Sequence, residues 1–302
     1  MPIKLHQLRA FKEIAEKGSI RAASRSLNIS QPALTKNIKD LEESLGVSLM
    51  SRSSNGVVLT MFGEDFLLHA RLILRELNLA QETIKQQLGT LGGNVVIGMG
   101  ASLASSLLPE VFVKFRQEFP LVKMNVSEGQ VEQHLLRLRQ GELDFCINTA
   151  NPELHDYEFT FEKLLDMEYR IFVKKDHPLA QATTLAALTD RDWILPELRS
   201  GYHKRVLDLF IQKGLNPNIA IYSGSYLASV EILKKTDCLS VFAVRNYNEN
   251  EIVALDLDVA LPKASYYLIR RKGSPLSPLA GRLANLFRQA CRPVYSSPRS
   301  IS

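Results

Sequence analysis

The sequence predicts a multidomain fold: an N-terminal all-α winged helix-turn-helix, a long linker helix, and then a larger α/β domain. Three patterns carry this. Short apolar stripes with capping signals fill residues 5–45, one unbroken stripe of period three to four fills 61–88, and strand-like runs alternate with helical ones from 94 onward. A length of 302 residues suits two or three domains.

Leu8, Phe11 and Ile14 share one face of a helix over 5–17, and Gly18-Ser19 ends it. Ser19 can cap a second helix, Ile20 to Leu27, and Asn28-Ile29-Ser30 forms the turn. Ser30 sits at an N-cap position and Pro32 in the first turn of a third helix that runs to about Ser44. Its buried stripe is Leu34, Ile38, Leu41 and Leu45. Leu49 to Leu59 reads as a two-stranded ribbon turning at Ser54-Asn55-Gly56, since Asn-Gly accepts the positive φ of a tight hairpin. Phe62, Phe66, Ala70, Ile73, Leu77, Ala80, Ile84 and Leu88 then predict one helix of about 28 residues, roughly 40 Å long. So long a helix with one apolar stripe needs a partner helix, parallel or antiparallel. Gly89 to Gly93 is the expected hinge.

Beyond it, strands are expected at Val95–Met99, Val122–Ser127 and Leu143–Asn148, with helices between them, which implies parallel βαβ units. A second α/β set follows: strands at Tyr169–Lys174, Trp193–Leu195, Ala220–Ser223 and Leu239–Phe242, with helices from about Tyr202 to Lys213 and Tyr226 to Lys235. Ala264–Ile269 and a helix from Pro278 to about Ala290 close the chain, before a Ser- and Pro-rich tail expected to be disordered.

Hydrophobic residues make up 45% and charged residues 23%, the balance of a globular protein. Net charge is +5, and residues 1–60 carry nine basic against five acidic side chains, so most of the excess lies near the N-terminus. That placement suggests a polyanionic partner. No apolar run approaches the ~20 residues that span a bilayer, and the charged start MPIKLHQLRAFKEIAEKG has no signal-peptide core. No membrane partner and a cytoplasmic location are therefore expected. Cys146, Cys238 and Cys291 form no CxxC pair and are expected as buried free thiols, with a redox-switch disulfide as the alternative.

A helix-turn-helix lays its second helix in a major groove ~12 Å wide. Ala22, Ala23 and Leu27 permit close approach of the two helices, and the second then exposes Gln31, Thr35, Lys36 and Lys39 opposite its apolar stripe. Gln and Thr read base edges, Lys suits phosphate or guanine, and the free N–H groups of the helix start can hold a phosphate. An ordinary helical hairpin with solvated charges is the alternative.

The segment LHQLRAFKEIAEKGSIRAASRSLNISQPALTKNIKDLEESLGVSLMSRSSNGVVLTMFGEDF resembles the LysR-type transcriptional regulators. Its hallmark block is Ala22 to Leu49, and Ser30-Gln31-Pro32-Ala33-Leu34 is the most diagnostic part. Leu49 to Arg52 varies the family's wing entry, with Met50 in place of the usual aromatic and Arg52 intact, while Thr60 and Gly63 match its wing-to-linker junction. The DNA contacts implied are Ser30, Gln31, Pro32, Thr35, Lys36, Lys39 and Arg52 on a double-stranded operator. EGQ at 128–130, LRQGELDF at 138–145 and EFTFEKLL at 158–165 look like the branch containing regulators of aminobenzoyl-glutamate use.

The resemblance implies an α/β two-lobed, periplasmic-binding-protein-like sensor domain with a small-molecule effector in its cleft, and assembly as a homotetramer, a dimer of dimers. The domains expected are 1–60 for DNA binding, 61–88 for the linker helix, 89–93 for the hinge and 94–302 for the sensor. Lobe I would be 94–165 with 266–302 and lobe II 166–265, with crossings near Leu164–Glu168 and Leu261–Ser265.

In open α/β lobes ligands sit at the carboxyl ends of strands, beside helix N-termini. Ser102 follows the first strand and opens a helix, and it matches the family's effector-contacting Ser/Thr position. Gln130 and Thr149 follow the next two strands; from lobe II, Ser200, Gly201 and Tyr202 open one helix and Ser225 another. Each of these can instead be a plain helix cap. Such a site suits a small carboxylate, aromatic ones included.

Gly98-Met99-Gly100 lacks the third glycine of a dinucleotide fingerprint, since Leu103 stands there, and no GxxxxGK[ST] or GxSxG occurs. The six histidines form no HxxxH or HExxH. No metal site, catalytic apparatus or cofactor is implied. The remaining alternatives are an enzyme fused to a DNA-binding domain, a purely architectural DNA protein, and a redox-responsive regulator using the cysteines.

Overall fold

Helix α1 (Leu5–Lys17) stops where Gly18 takes a left-handed φ of 61°, and α2 (Ile20–Leu27) stops at Asn28, φ 53°. Both conformations close a helix end, and Asn tolerates the left-handed region better than most side chains. Ser19 and Ser30 accept hydrogen bonds from the backbone N–H of Ala22 and Ala33, so α2 and α3 (Gln31–Leu45) start at the expected residues. The wing pairs β1 (Met50–Ser53) with β2 (Gly56–Leu59) in antiparallel register. Helix α4 (Met61–Gln87) follows, with Thr60 as its N-cap. This computed structural model describes residues 2–53, 56–89, 92–154, 157–196, 201–243 and 251–292. The Ser54-Asn55 turn, Thr90 and Leu91 of the hinge, Ser200 and the tail from 293 lie outside them.

The chain divides into two units, Met1–Thr90 with Arg139–Gly141, and Leu91–Leu138 with Glu142–Ser302. The core of the first holds Leu8, Phe11, Ile14, Ala23, Leu34, Ile38, Leu41, Leu49, Ala70 and Leu74. Phe11 meets Phe66 edge-on at 5.4 Å between ring centroids. The expected single stripe of α4 splits in two. Ala70 and Leu74 are buried within the unit, whereas Phe62, Ile73, Ile84 and Leu88 stand exposed. The split follows from packing: Phe66, Ala70 and Leu74 turn toward the core that α1 shares, where Phe66 meets Phe11, and the exposed positions do not.

The second unit comprises two five-stranded sheets. One, in order β4-β3-β5-β12-β6, contains β3 (Gly92–Met99), β4 (Leu121–Glu128), β5 (Phe145–Thr149), β6 (Phe159–Met167) and β12 (Ala264–Arg271). The other, in order β11-β7-β10-β8-β9, contains β7 (Tyr169–Lys174), β8 (Asp192–Leu195), β9 (Asn218–Tyr222), β10 (Leu239–Ala243) and β11 (Ile252–Ala254). Around the first lie α5 (Ala101–Ser106), α6 (Leu108–Glu118), α7 (Val131–Arg139) and α10 (Pro278–Cys291); α8 (Gly201–Gln212) and α9 (Tyr226–Lys235) belong to the second.

Strands β3, β4 and β5 pair in parallel, as do β8, β9 and β10, in line with the strand-helix alternation. The crossing strands, whose direction the alternation does not address, pair the other way: β12 runs antiparallel to β5 and β6, and β7 runs antiparallel to β10 and β11. These strands carry the chain directly between lobes, with only Glu168 between β6 and β7, and have no crossover helix to turn them parallel. Strand β3 begins earlier than the apolar pattern indicates. Gly92 and Gly93, expected in the hinge, pair with Leu121 and Val122, because a ladder needs backbone groups rather than side chains. One buried core runs through both lobes, from Val95, Ile97, Phe115 and Phe287 past Leu165, Met167 and Ala264 to Trp193, Val206 and Phe210.

Candidate DNA-recognition face and ligand cleft

Leu34, Ile38 and Leu41 bury one side of α3, and that burial turns the opposite side outward. Gln31, Pro32, Thr35, Lys36 and Lys39 are all exposed there, beside the Ser30 cap. Lys39 lies 3.7 Å from Glu43, an exposed i,i+4 pair whose attraction is weak in water and leaves the amine within reach of a phosphate. Arg52 sits on β1 opposite Val57; its side chain is outside the described residues.

The wing and α4 are locked to this helix by backbone contacts. The Glu42 carboxylate on α3 accepts from the N–H groups of Leu49 and Met50, at 2.7 and 3.2 Å. The Thr60 hydroxyl donates to the Ser48 carbonyl at 2.7 Å and accepts from Gly63 N–H at 3.1 Å, while Thr60 N–H donates to the Leu49 carbonyl at 3.0 Å. At Gly63 a Cβ would stand 2.0 Å from the Leu49 carbonyl oxygen, so only glycine permits this approach.

In the second unit a cleft opens between the lobes at the carboxyl ends of β3, β4, β5, β8 and β9, enclosing about 680 Å³ of space that is partly open to solvent. Gly100, Ala101 and Ser102 bring the start of α5 to it; Gly129 and Gln130 precede α7, Tyr202 and His203 open α8, and Gly224 and Tyr226 bring the start of α9. Four helix N-termini therefore border one space and contribute partial positive charge, the six-residue α5 the least. No Lys, Arg, Asp or Glu occurs among the described lining residues.

Ser102, Gln130, Thr149 and Tyr202 are brought together here, as the sequence suggests. Ser225 does not line the cleft: it caps α9 by accepting from Ala228 N–H, the bland alternative. Ser200 lies outside the described residues.

A tyrosine chain between the lobes has no counterpart among the residues picked out by strand ends and helix starts. Tyr169, which opens β7, bonds Ser102 at 3.3 Å and Tyr266 of β12 at 2.6 Å through its hydroxyl. Burial pushes both phenols up, Tyr266 the more strongly. The Tyr202 ring lies 4.1 Å from that of Tyr169; its hydroxyl is buried and has no partner among the described residues. Asn148 also lines the cleft, its amide donating to His134 Nδ1 at 2.7 Å. Burial pushes His134 down to about 4, which keeps the ring neutral and able to accept that bond. One signal was available in the sequence: Ser240 interrupts the otherwise apolar run of β10, and a polar residue in a fully buried strand needs a reason.

The cysteines offer the redox alternative no support. Cys146, Cys238 and Cys291 form no disulfide and are buried in three separate apolar clusters, and burial raises the Cys146 thiol far above its usual range, away from the reactive thiolate. None of the described helices is long and apolar enough to cross a membrane.

Residues 5–64 match the family described as bacterial regulatory helix-turn-helix protein, lysR family, and residues 89–292 match the LysR substrate binding domain. TdcA of Escherichia coli (strain K12), an HTH-type transcriptional regulator, is 26% identical over 289 residues, which cover 95% of this chain and 93% of TdcA. GbpR of Azospirillum brasilense, also an HTH-type transcriptional regulator, is 33% identical over 245 residues, 80% and 72% of the two chains. The crystal structure of full-length CbnR complexed with its target DNA has the same fold, with a TM-score of 0.67 at 21% identity, over 95% of this chain and 99% of that one. The chain belongs to the LysR family of transcriptional regulators, with a helix-turn-helix DNA-binding domain followed by an effector-binding domain.

Proposed function

We propose that this regulator binds its operator through Ser30, Gln31, Pro32, Thr35, Lys36 and Lys39 of the α3 face and Arg52 of the wing, and that a small carboxylate in the interlobe cleft controls this binding. The observation that carries the effector class is the meeting of four helix N-termini in a space whose described lining has no charged side chain. Partial positive charge without a cation favours an anion and disfavours an amine. Ser102 and the Tyr202 hydroxyl, which has no partner among the described residues, are the donors that would receive it.

Ser102 belongs to lobe I and its partner Tyr169 to lobe II, so a ligand at Ser102 acts on a hydrogen bond that spans the two lobes. Its differential affinity for two lobe angles sets the coupling to DNA, typically ~1–3 kcal/mol. The exposed Ile73 and Ile84 of α4 support pairing with a second copy, and further association through the effector-binding domain would give a dimer of dimers. Of the three segments resembling the aminobenzoyl-glutamate branch, only 128–130 reaches the cleft, through Gly129 and Gln130. That makes aminobenzoyl-glutamate one carboxylate to test.

The test is a thermal-shift and calorimetric panel of carboxylates against their primary amides. Carboxylates should bind and the matched amides should lose at least tenfold in affinity. Equal binding of acid and amide in every pair would refute the anion reading.

A further inference from the structure

The lobe II side of the cleft has a hydrogen-bonding polarity of its own. The Ser240 hydroxyl is buried and donates its proton to the Ile194 carbonyl at 2.7 Å. Ser229 donates to the Ser225 carbonyl at 2.9 Å, and Ser223 donates to that same carbonyl at 3.1 Å. A hydroxyl has one proton and two lone pairs, so each serine, its proton committed to backbone, can offer a ligand only acceptor capacity. His203 behaves the same way. Its Nε2 faces the Val241 carbonyl at 3.3 Å and must donate, and burial pushes the ring down to about 4, so it is neutral and Nδ1 is left as an acceptor. All four residues line the cleft.

We infer that the lobe II wall, formed by Ser223, Ser229, Ser240 and His203, is an acceptor surface that selects a carboxylate bearing one or more hydroxyl groups, with those hydroxyls donating to this wall. This rests on the carboxylate reading of the same cleft and adds the second half of the ligand. The donor is a hydroxyl rather than a protonated amine because the wall presents neutral acceptors beside the α8 and α9 N-termini, where positive charge is opposed. Hydroxyls left unmet by donors cost affinity, so a plain alkyl or aryl acid would leave the buried Ser229 and Ser240 acceptors without partners.

The test uses full-length protein, isothermal calorimetry and Trp193 fluorescence. Probes are matched sets on four- to seven-carbon skeletons: butyrate and cyclohexanecarboxylate, their mono- and polyhydroxylated forms, their methoxy and amino counterparts, and the neutral polyols without the carboxylate. In at least one set the hydroxylated acid should bind tenfold or more tighter than its parent, methoxy and amino forms. Ser240→Ala and Ser229→Ala should each narrow that ratio by about 3- to 10-fold. Melting curves of both variants exclude a folding defect, and Ser240→Cys serves where Ser240→Ala is poorly folded. Parents binding as well as hydroxylated acids would overturn the inference and leave the carboxylate reading standing. Polyols binding as well as hydroxy acids would uphold the acceptor wall and overturn the carboxylate reading. Amino acids preferred over hydroxy acids, or no binding by any probe, would overturn the inference.

Discussion

Gly63→Ala is the sharpest single perturbation of the DNA-binding half. The added Cβ would lie 2.0 Å from the Leu49 carbonyl oxygen and 3.3 Å from the Leu59 side chain. Real Cβ atoms essentially never come closer than 3.0 Å to a heavy atom, so the start of α4 and the base of the wing must part by about 1 Å. That movement stretches the Thr60 N–H bond to Leu49 and the Thr60 hydroxyl bond to Ser48, now 3.0 and 2.7 Å, and weakens the cap on Gly63. Two hydrogen bonds at ~1 kcal/mol each and an N-cap at ~1 kcal/mol give a loss of about 2–4 kcal/mol. For a unit of this size that lowers its melting temperature by roughly 8–32 °C, at about 4–8 °C per kcal/mol. Calorimetry of the full chain should show the first unit's transition moved down while the second unit's stays. DNA affinity should fall with it, since the junction fixes the wing against α3. An unchanged melting profile together with unchanged DNA binding would refute the reasoning.

The other predictions follow from the same geometry. Gln31→Ala should cost about 1–3 kcal/mol at a selected DNA site and relax base preference at one position, measured by competition binding. Lys36→Ala should weaken all sequences evenly and shallow the salt slope by about one unit. Ile84→Asp places a charge on an exposed apolar position of α4; it should leave melting nearly unchanged and shift self-association to higher concentration in light scattering. His134 and His203 are pushed from 6.5 to about 4 in the folded protein. The unfolded chain takes up the proton first, so their contribution to stability is full above pH 6.5 and is lost as pH falls toward 4, at most about 1.4 kcal/mol per unit from each. Denaturant titrations between pH 6.5 and 4.5 should show this slope, and His134→Asn should reduce it.

The helix-turn-helix was legible nearly residue by residue because its determinants are local. Ser19, Ser30 and Thr60 cap the helices that follow, Gly18 and Asn28 end those that precede, and Leu34, Ile38 and Leu41 mark a face by spacing alone. The α/β half was legible as alternation but less so in detail. Strand β11 and most of β6 went unseen, and the antiparallel crossings depend on contacts between residues about a hundred positions apart, such as Tyr266 with Leu165. The cleft followed the same division. Ser102, Gln130, Thr149 and Tyr202 are found from strand ends and helix starts, which a sequence displays. Tyr169 and Tyr266 enter because β7 and β12 bring together residues about a hundred positions apart, which no local spacing records, whereas Asn148 and His203 sit beside Thr149 and Tyr202 on the same strand end and helix start. Ser225 shows the converse, a residue at the right kind of position whose side chain is spent on its own helix.

The central claim is that occupancy of the cleft changes DNA binding by α3. It is tested most directly by the affinity of the full-length protein for a DNA site selected from genomic fragments, with and without a saturating carboxylate that binds by calorimetry. A change of about 5- to 150-fold is expected for the parent protein, collapsing toward one for Ser102→Ala at the same ligand concentration. An affinity ratio of one for the parent protein, or an undiminished ratio for Ser102→Ala, would contradict it.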